Sequence, residues 1–229
     1  ARIYTQSAFM NSVALGGGAE FEYVYLKPLV GEIMQEKETG SFINGFFFID
    51  IDRYNDPSYP TNHAGRSFTM YKLINASGTK PIHFLNFSYE QSVPLTKKTV
   101  LKPAVFAAYS SADTNIWIYQ LYMGGMNRMR NKGLIPFTGL DFMQVNSRVI
   151  AGVGLNFQYN FWRNNFVVLR ANAASAAWTY NDLFQDKNNL LGFGITVGNN
   201  SIIGPIEITF MLSNAHKNLL THFNIGYWF

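Results

Sequence analysis

The sequence predicts an all-β fold, a transmembrane antiparallel β-barrel with about 12 strands in this chain. Charged residues make up only 14% of the 229 positions, against about a quarter in a soluble domain, while aromatics reach 16%. No run of about 18 apolar residues occurs, so helical crossing is excluded, yet mean hydropathy is close to neutral at −0.03. Segment after segment alternates apolar and polar residues with the period of a two-faced strand. A soluble β-sandwich also alternates. It would need a dry core, however, and here the faces opposite the Phe, Tyr, Leu and Ile sets hold Gly, Asn, Gln and Glu.

In chain order, strands are expected near 2–10, 15–27, 41–52, 66–76, 82–93, 98–110, 115–123, 141–147, 148–160, 164–175, 189–199, 203–213 and 218–229, with 141–160 counted as one bent strand. Leu85, Phe87 and Tyr89 alternate with Asn86, Ser88 and Glu90. Trp117, Tyr119 and Leu121 oppose Ile118 and Gln120 less cleanly. Val149, Ala151, Val153, Leu155, Phe157 and Tyr159 form an apolar face against Ile150, Gly152, Gly154, Asn156, Gln158 and Asn160. Ile206, Ile208 and Phe210 alternate with Glu207, Thr209 and Met211, and the chain closes on Phe223, Ile225, Tyr227 and Phe229. The apolar sets suit lipid and the polar sets suit a wet lumen, to which Glu20 and Glu22 also belong.

Turn signals at Lys97-Lys98, Arg163-Asn164, Asn199-Asn200 and 214–218 mark short connections. Longer ones are expected at 28–40, 53–65, 124–140 and 176–188, so that short periplasmic turns alternate with longer external loops. No linker or low-complexity tract interrupts the pattern, which makes 1–229 one outer-membrane barrel domain. The chain opens Ala1-Arg2 without Met or a signal-peptide pattern, as a mature product or a fragment would.

Candidate chemistry is sparse. With no cysteine, disulfides and Cys-ligated metals are excluded. A net charge of +4, dispersed along the chain, gives no footprint for nucleic acid. His63, His83, His216 and His222 are not at ligand spacing. Asp50, Asp52 and Asp56 around Arg53 lack the Gly and distal Glu of a calcium loop. There is no G-x-S-x-G elbow, and Gly16-Gly17-Gly18 reads as a strand bend. The expectation is therefore no catalytic residue, no metal and no cofactor in this chain.

Two segments resemble a known family. Tyr122-Met123-Gly124-Gly125-Met126-Asn127-Arg128-Met129-Arg130-Asn131-Lys132-Gly133, continuing to Gly139, is similar to the Gly-Gly…Arg-Gly-aromatic loop of the BamA/TamA barrel superfamily, with Asn131 where the motif has Gly. Gly192-Phe193-Gly194, Ile203-Gly204-Pro205-Ile206-Glu207-Ile208 and the closing aromatics resemble the last three strands of those barrels. More narrowly, Ile135-Pro136-Phe137-Thr138-Gly139-Leu140-Asp141-Phe142 and the Asn-Ile-Gly-Tyr-Trp-Phe ending are similar to the C-terminal barrel of patatin-like phospholipases of Bacteroidota type.

The resemblance implies a Gram-negative outer-membrane location and family barrels of about 16 strands, so that either N-terminal strands lie upstream or this barrel is smaller or incomplete. It implies a loop folded into the lumen, with Gly124, Gly125, Arg128 and Arg130 as its motif and Glu207 as the partner of its arginine. It makes Phe223, Ile225, Tyr227 and Phe229 the insertion signal. The implied role is to anchor, display or translocate a patatin-like lipase domain absent from this chain, without enzyme activity of the barrel itself. The alternatives are a structural subunit of an outer-membrane complex or a passive pore. Expected partners are outer-membrane lipid, the barrel-assembly machinery, and a second copy or a larger outer-membrane complex.

Overall fold

A computed structural model describes residues 1–9, 12–26, 38–76, 80–113, 116–126 and 133–226. In chain order the strands are β1 (Arg2–Phe9), β2 (Val13–Leu26), β3 (Glu38–Asp52), β4 (Ala64–Ala76), β5 (Ile82–Pro94) and β6 (Thr99–Ser110). Three short strands follow, β7 (Leu121–Met123), β8 (Leu134–Ile135) and β9 (Val145–Ser147). The long strands then resume with β10 (Val149–Trp162), β11 (Asn165–Ala177), β12 (Asn189–Ser201), β13 (Gly204–Ser213) and β14 (His216–Ile225).

Eleven long strands form one sheet in the order β1-β2-β3-β4-β5-β6-β10-β11-β12-β13-β14, antiparallel at every pairing. This is the wall of a β-barrel; among the described residues, β1 and β14 are its edges and do not pair with each other. Strands of 13 or 14 residues, such as β10 and β11, exceed the roughly 9–11 that a tilted crossing needs.

The wall has eleven strands where about 12 were expected. The difference is 115–123, which is not a wall strand, and 141–147 does not extend the wall strand at 148–160 either. Trp117–Tyr119 is a single 3-10 turn, and β7, β8 and β9 make a separate three-stranded sheet. Tyr119, Gln120, Leu121 and Met123 are all buried, so neither parity of that stretch faces lipid. Its weak alternation reflects burial inside the barrel on every side.

The register separates two ends. The connections at 53–63, 95–98, 163–164 and 202–203 share one end with the β1–β2 turn. Those at 111–148, 178–188 and 214–215 lie at the other. The 53–63 connection therefore belongs with the short turns and not with the long loops as expected. Asn199-Asn200 does not turn either: β12 continues through Ser201, and Ile202 and Ile203 make the exposed turn. Short turns face the periplasm in outer-membrane barrels, which orients the wall.

Along the outer face Val153, Leu155 and Tyr159 of β10 and Phe223 and Ile225 of β14 are exposed, with Phe210 of β13; Phe157, Ile206 and Ile208 are half-buried. Tyr227 and Phe229 lie outside the described residues. The inner face is less uniformly polar than its Asn and Gln content suggests. Phe42, Phe68, Met70, Ile74, Ile82 and Phe84 point inward on β3, β4 and β5, and the β7–β9 insert buries them. A filled lumen removes the need for every inward residue to tolerate water.

Candidate functional site in the barrel lumen

The lumen holds two inserts, one from each end. The first spans 111–148 and enters from the long-loop end. Its entry is fixed by Ser110, whose hydroxyl donates to the Tyr119 carbonyl at 2.5 Å. The Tyr119 hydroxyl donates to Glu22 Oε2 at 2.5 Å, and Asn44 Nδ2 donates to the same oxygen at 2.9 Å. Burial, and next the hydrogen bond to Glu22, push the Tyr119 phenol well above its ordinary pKa. The inward placement of Glu22 thus has a use: it receives the insert.

The motif glycines make the insert's sharp reversal. Gly124 and Gly125 sit at φ 135° and 72°, the left-handed side that side chains avoid. A Cβ on Gly124 would also land on the Asp141 carbonyl oxygen. The backbone then closes a tight lattice: Gly124 N–H donates to Ile135 O, Gly125 N–H to Leu140 O and Phe137 N–H to Gly125 O, each at 3.0 Å. Phe137 and Leu140 are fully buried. Thr138 meets the wall at Asn172, whose amide oxygen, with the group oriented to satisfy both donors, accepts from Thr138 N at 3.0 Å and Oγ1 at 3.1 Å. Gly192 on β12 makes the approach possible, because a Cβ there would occupy the position of the Thr138 carbonyl oxygen.

The second insert is the 53–63 connection, a strap folded into the lumen from the turn end. Asp56 Oδ1 accepts from the backbone N–H groups of Ser58 and Tyr59 at 2.8 Å, which shapes the strap as an Asx turn. Its other oxygen accepts from Asn200 of β12 at 2.7 Å. The Tyr59 ring stacks on Phe166 of β11 with centroids 4.1 Å apart. Its hydroxyl donates to Glu207 Oε1 of β13 at 2.7 Å. Gln158 of β10 donates to the Pro60 carbonyl at 3.3 Å. The strap leaves the wall between β3 and β4 and is held by β10 to β13, so it crosses the lumen. Burial, and then the negative charge of Glu207, raise the Tyr59 phenol pKa strongly.

Between the first insert and the wall lies a cavity lined in part by Arg66, Glu90, Met126, Asn156, Arg170 and Asn172. Its charges have partners. Arg66 Nε pairs with Asp52 at 3.1 Å, Tyr54 donates to Glu90 at 3.0 Å, and Arg170 Nε donates to Thr196 at 2.9 Å. Deeper in the wall Lys72 pairs with Glu20 at 2.8 Å. Asp52 and Asp56 are thus spent on Arg66 and on the strap. Among the described residues, no three His, Asp or Glu converge as a metal set. His83 points outward and shares a 2.7 Å hydrogen bond with Tyr71, while His222 is half-buried.

Of the residues singled out in the sequence, Gly124 and Gly125 lie within the lumen insert, after β7, while Arg128 and Arg130 lie outside the described residues. Glu207 faces the lumen and receives Tyr59 and, at 3.4 Å, Asn224 Nδ2 of β14. Phe223 and Ile225 are exposed on the outer face of β14. Sequence reading missed Tyr59, and it named Asp56 only in a rejected calcium loop and Asn200 only as a turn residue. The available signal was Asp56-Pro57-Ser58-Tyr59-Pro60, an Asx turn between prolines with an aromatic at its tip.

Comparison with known proteins finds a matching family model and matching solved structures. The family model described as the OMP85 superfamily matches residues 1–229. The crystal structure of BamA from Haemophilus ducreyi lacking POTRA domains 1-3 superposes with a TM-score of 0.67 at 14% identity. That alignment covers 93% of this chain and 50% of the BamA chain, so the present chain spans half the length of that structure. No curated protein matches the sequence.

Proposed function

This chain belongs to the OMP85 superfamily and is a β-barrel of the bacterial outer membrane, and from that premise we propose that it anchors and displays, or passes across the membrane, a patatin-like lipase domain carried elsewhere in the same protein. The observation that carries this reading is the filled lumen. A wall whose inward Phe and Met side chains are buried under the 111–148 insert suits a holder of cargo better than an open pore. The likeness of 135–142 and of the closing aromatics to patatin-like barrels supplies the cargo's identity. On this reading the barrel itself does no chemistry. Its closing segment, with Phe223, Ile225, Tyr227 and Phe229, is the insertion signal read by the barrel-assembly machinery. Arg130, with Arg128 as second choice, supplies a guanidinium to Glu207.

The test uses the complete protein. Phospholipase activity is expected to co-fractionate with the outer membrane and to become soluble when 1–229 is deleted. A complete reading frame without a G-x-S-x-G segment, or activity indifferent to the deletion, rejects the proposal. Steady conductance of the purified protein in planar bilayers would instead support a passive pore.

A further inference from the structure

Residues at the long-loop end of β10 and β11 break the outer-face pattern. Val149, Ser175 and Ala177 occupy outward positions, in register with exposed Val153 and with Ala173, which pairs with exposed Leu191. Yet Val149 is 7% exposed, Ser175 1% and Ala177 3%. Something covers the outside of the barrel there, and it is the 178–188 connection. The Phe184 N–H donates to Ser175 Oγ at 2.9 Å. The Tyr180 ring stacks on Tyr109 of β6, centroids 5.3 Å apart, on the far side of β10. The connection does not rise into water above the rim. It folds down the outer wall across two strands.

The fold-back is rigid and amphipathic. Asp182 organises its polar side: Oδ2 accepts from Thr179 Oγ1 at 2.7 Å, Oδ1 from Gln185 Nε2 at 2.9 Å, and the carbonyl from Asn188 Nδ2 at 2.7 Å. Phe184 is held at φ 67°, a conformation costly for an aromatic residue, and the Ser175 bond fixes it there. The side away from the wall presents Trp178, Tyr180 and Phe184, the last two 62% and 68% exposed. Rigid aromatics on the outside of a membrane wall, next to its exposed Leu191 and Leu85, continue the lipid-facing surface. Trp and Tyr favour the membrane–water boundary, where their apolar bodies meet chains and their polar atoms meet headgroups.

We infer that residues 178–188 form an interfacial anchor, a loop clamped to the outer wall by Ser175 and Tyr109 that lays Trp178, Tyr180 and Phe184 into the outer-leaflet boundary of the membrane lipid. The chain has no native cysteine, so single labels are unambiguous. A nitroxide on Phe184→Cys in the full chain, in phosphatidylcholine vesicles, is compared with labels on Val153→Cys on the wall and Lys97→Cys in a turn. The ratio of collisions with oxygen to collisions with a water-soluble nickel chelate is expected to fall between those of position 153 and position 97, clearly above the latter, as at a membrane–water boundary. A ratio like that of position 97 places the loop in water and overturns the inference. Low accessibility to both reagents assigns the surface to a protein partner and overturns it equally. Should the labelled variant fail to fold, Trp178 reports in its place after Trp117, Trp162 and Trp228 are changed to Phe. Brominated lipid should quench it more than iodide does, and Ser175→Ala, by freeing the clamp, should raise iodide quenching; stronger iodide quenching without that change rejects the anchor.

Discussion

The phenol of Tyr59 illustrates what one side chain contributes to this barrel. It donates to a carboxylate, stacks on Phe166 and tethers a strap across the lumen. Hydrogen bonds to charged groups contribute about 1.5–3 kcal/mol, so Tyr59→Phe, which keeps the stack, should destabilise the barrel by that amount. A double-mutant cycle with Glu207→Gln should return most of that loss as coupling, measured by the temperature at which the folded form loses its gel shift. The pH dependence has a definite sign. Tyr59 and Tyr119 have pKa values raised by folding. Their contribution is fully present below the ordinary tyrosine value of about 10 and is lost as pH rises toward the folded values. Stability should therefore fall above about pH 10, and Tyr59→Phe should flatten that fall. If Arg130 shares Glu207, Arg130→Ala should lower stability by less than the roughly 3–5 kcal/mol of a fully buried pair, because Glu207 is half-buried and keeps its Tyr59 and Asn224 bonds. A loss confined to Tyr59→Phe, with Arg130→Ala silent, would show that the phenol suffices.

Single strands carry two functions on two faces, and β10 is the clearest case. Val153 is exposed outward at 53%, while Gly154 faces inward, where an added Cβ would lie 3.3 Å from the Asn172 side-chain amide. Val153→Arg should cost about 2–4 kcal/mol near the bilayer midplane. Gly154→Arg, with polar neighbours and a cavity, should cost less, as judged by the folded fraction recovered in membranes. The reverse order would invert the assignment of faces. The contact between insert and wall gives a second comparison. Gly192→Ala must displace the Thr138 backbone, whereas Gly45→Ala meets open space. Only the first should loosen the insert and raise protease cleavage between 124 and 140.

At the scale of the molecule, eleven wall strands follow each other in sequence and pair with sequence neighbours, except where the lumen insert separates β6 from β10. Such a sheet can grow by addition of hairpins, and its last strand is available at an edge. Deleting Phe229, or Tyr227→Asp, should lower the amount of protein reaching the membrane while synthesis continues; normal membrane levels of both would remove the insertion-signal role. The same architecture explains why strap and insert matter. They bond strands that are distant around the wall, as Tyr59 and Glu207 do across 148 residues of chain.

What the sequence by itself determined is everything that depends on a period of two. Outward Leu155, Phe223 and Ile225 and inward Glu22 and Gln158 were legible because alternation is a local property of the backbone. Gly124 and Gly125 drew notice only through the family resemblance; that both take positive φ is a fact of the folded insert. The tertiary structure alone decided which stretches become wall. The 115–123 segment alternates weakly, yet it leaves the wall because Leu121 and Met123 find Phe42 and Phe84 inside the lumen. No local pattern could show that Tyr59 would meet Glu207, or that Phe184 would fold back over Ser175. Those contacts join residues that only strand register brings together. Register is set by pairing along the whole sheet, so the lumen site and the outer fold-back belong to the assembled wall rather than to any segment of its sequence.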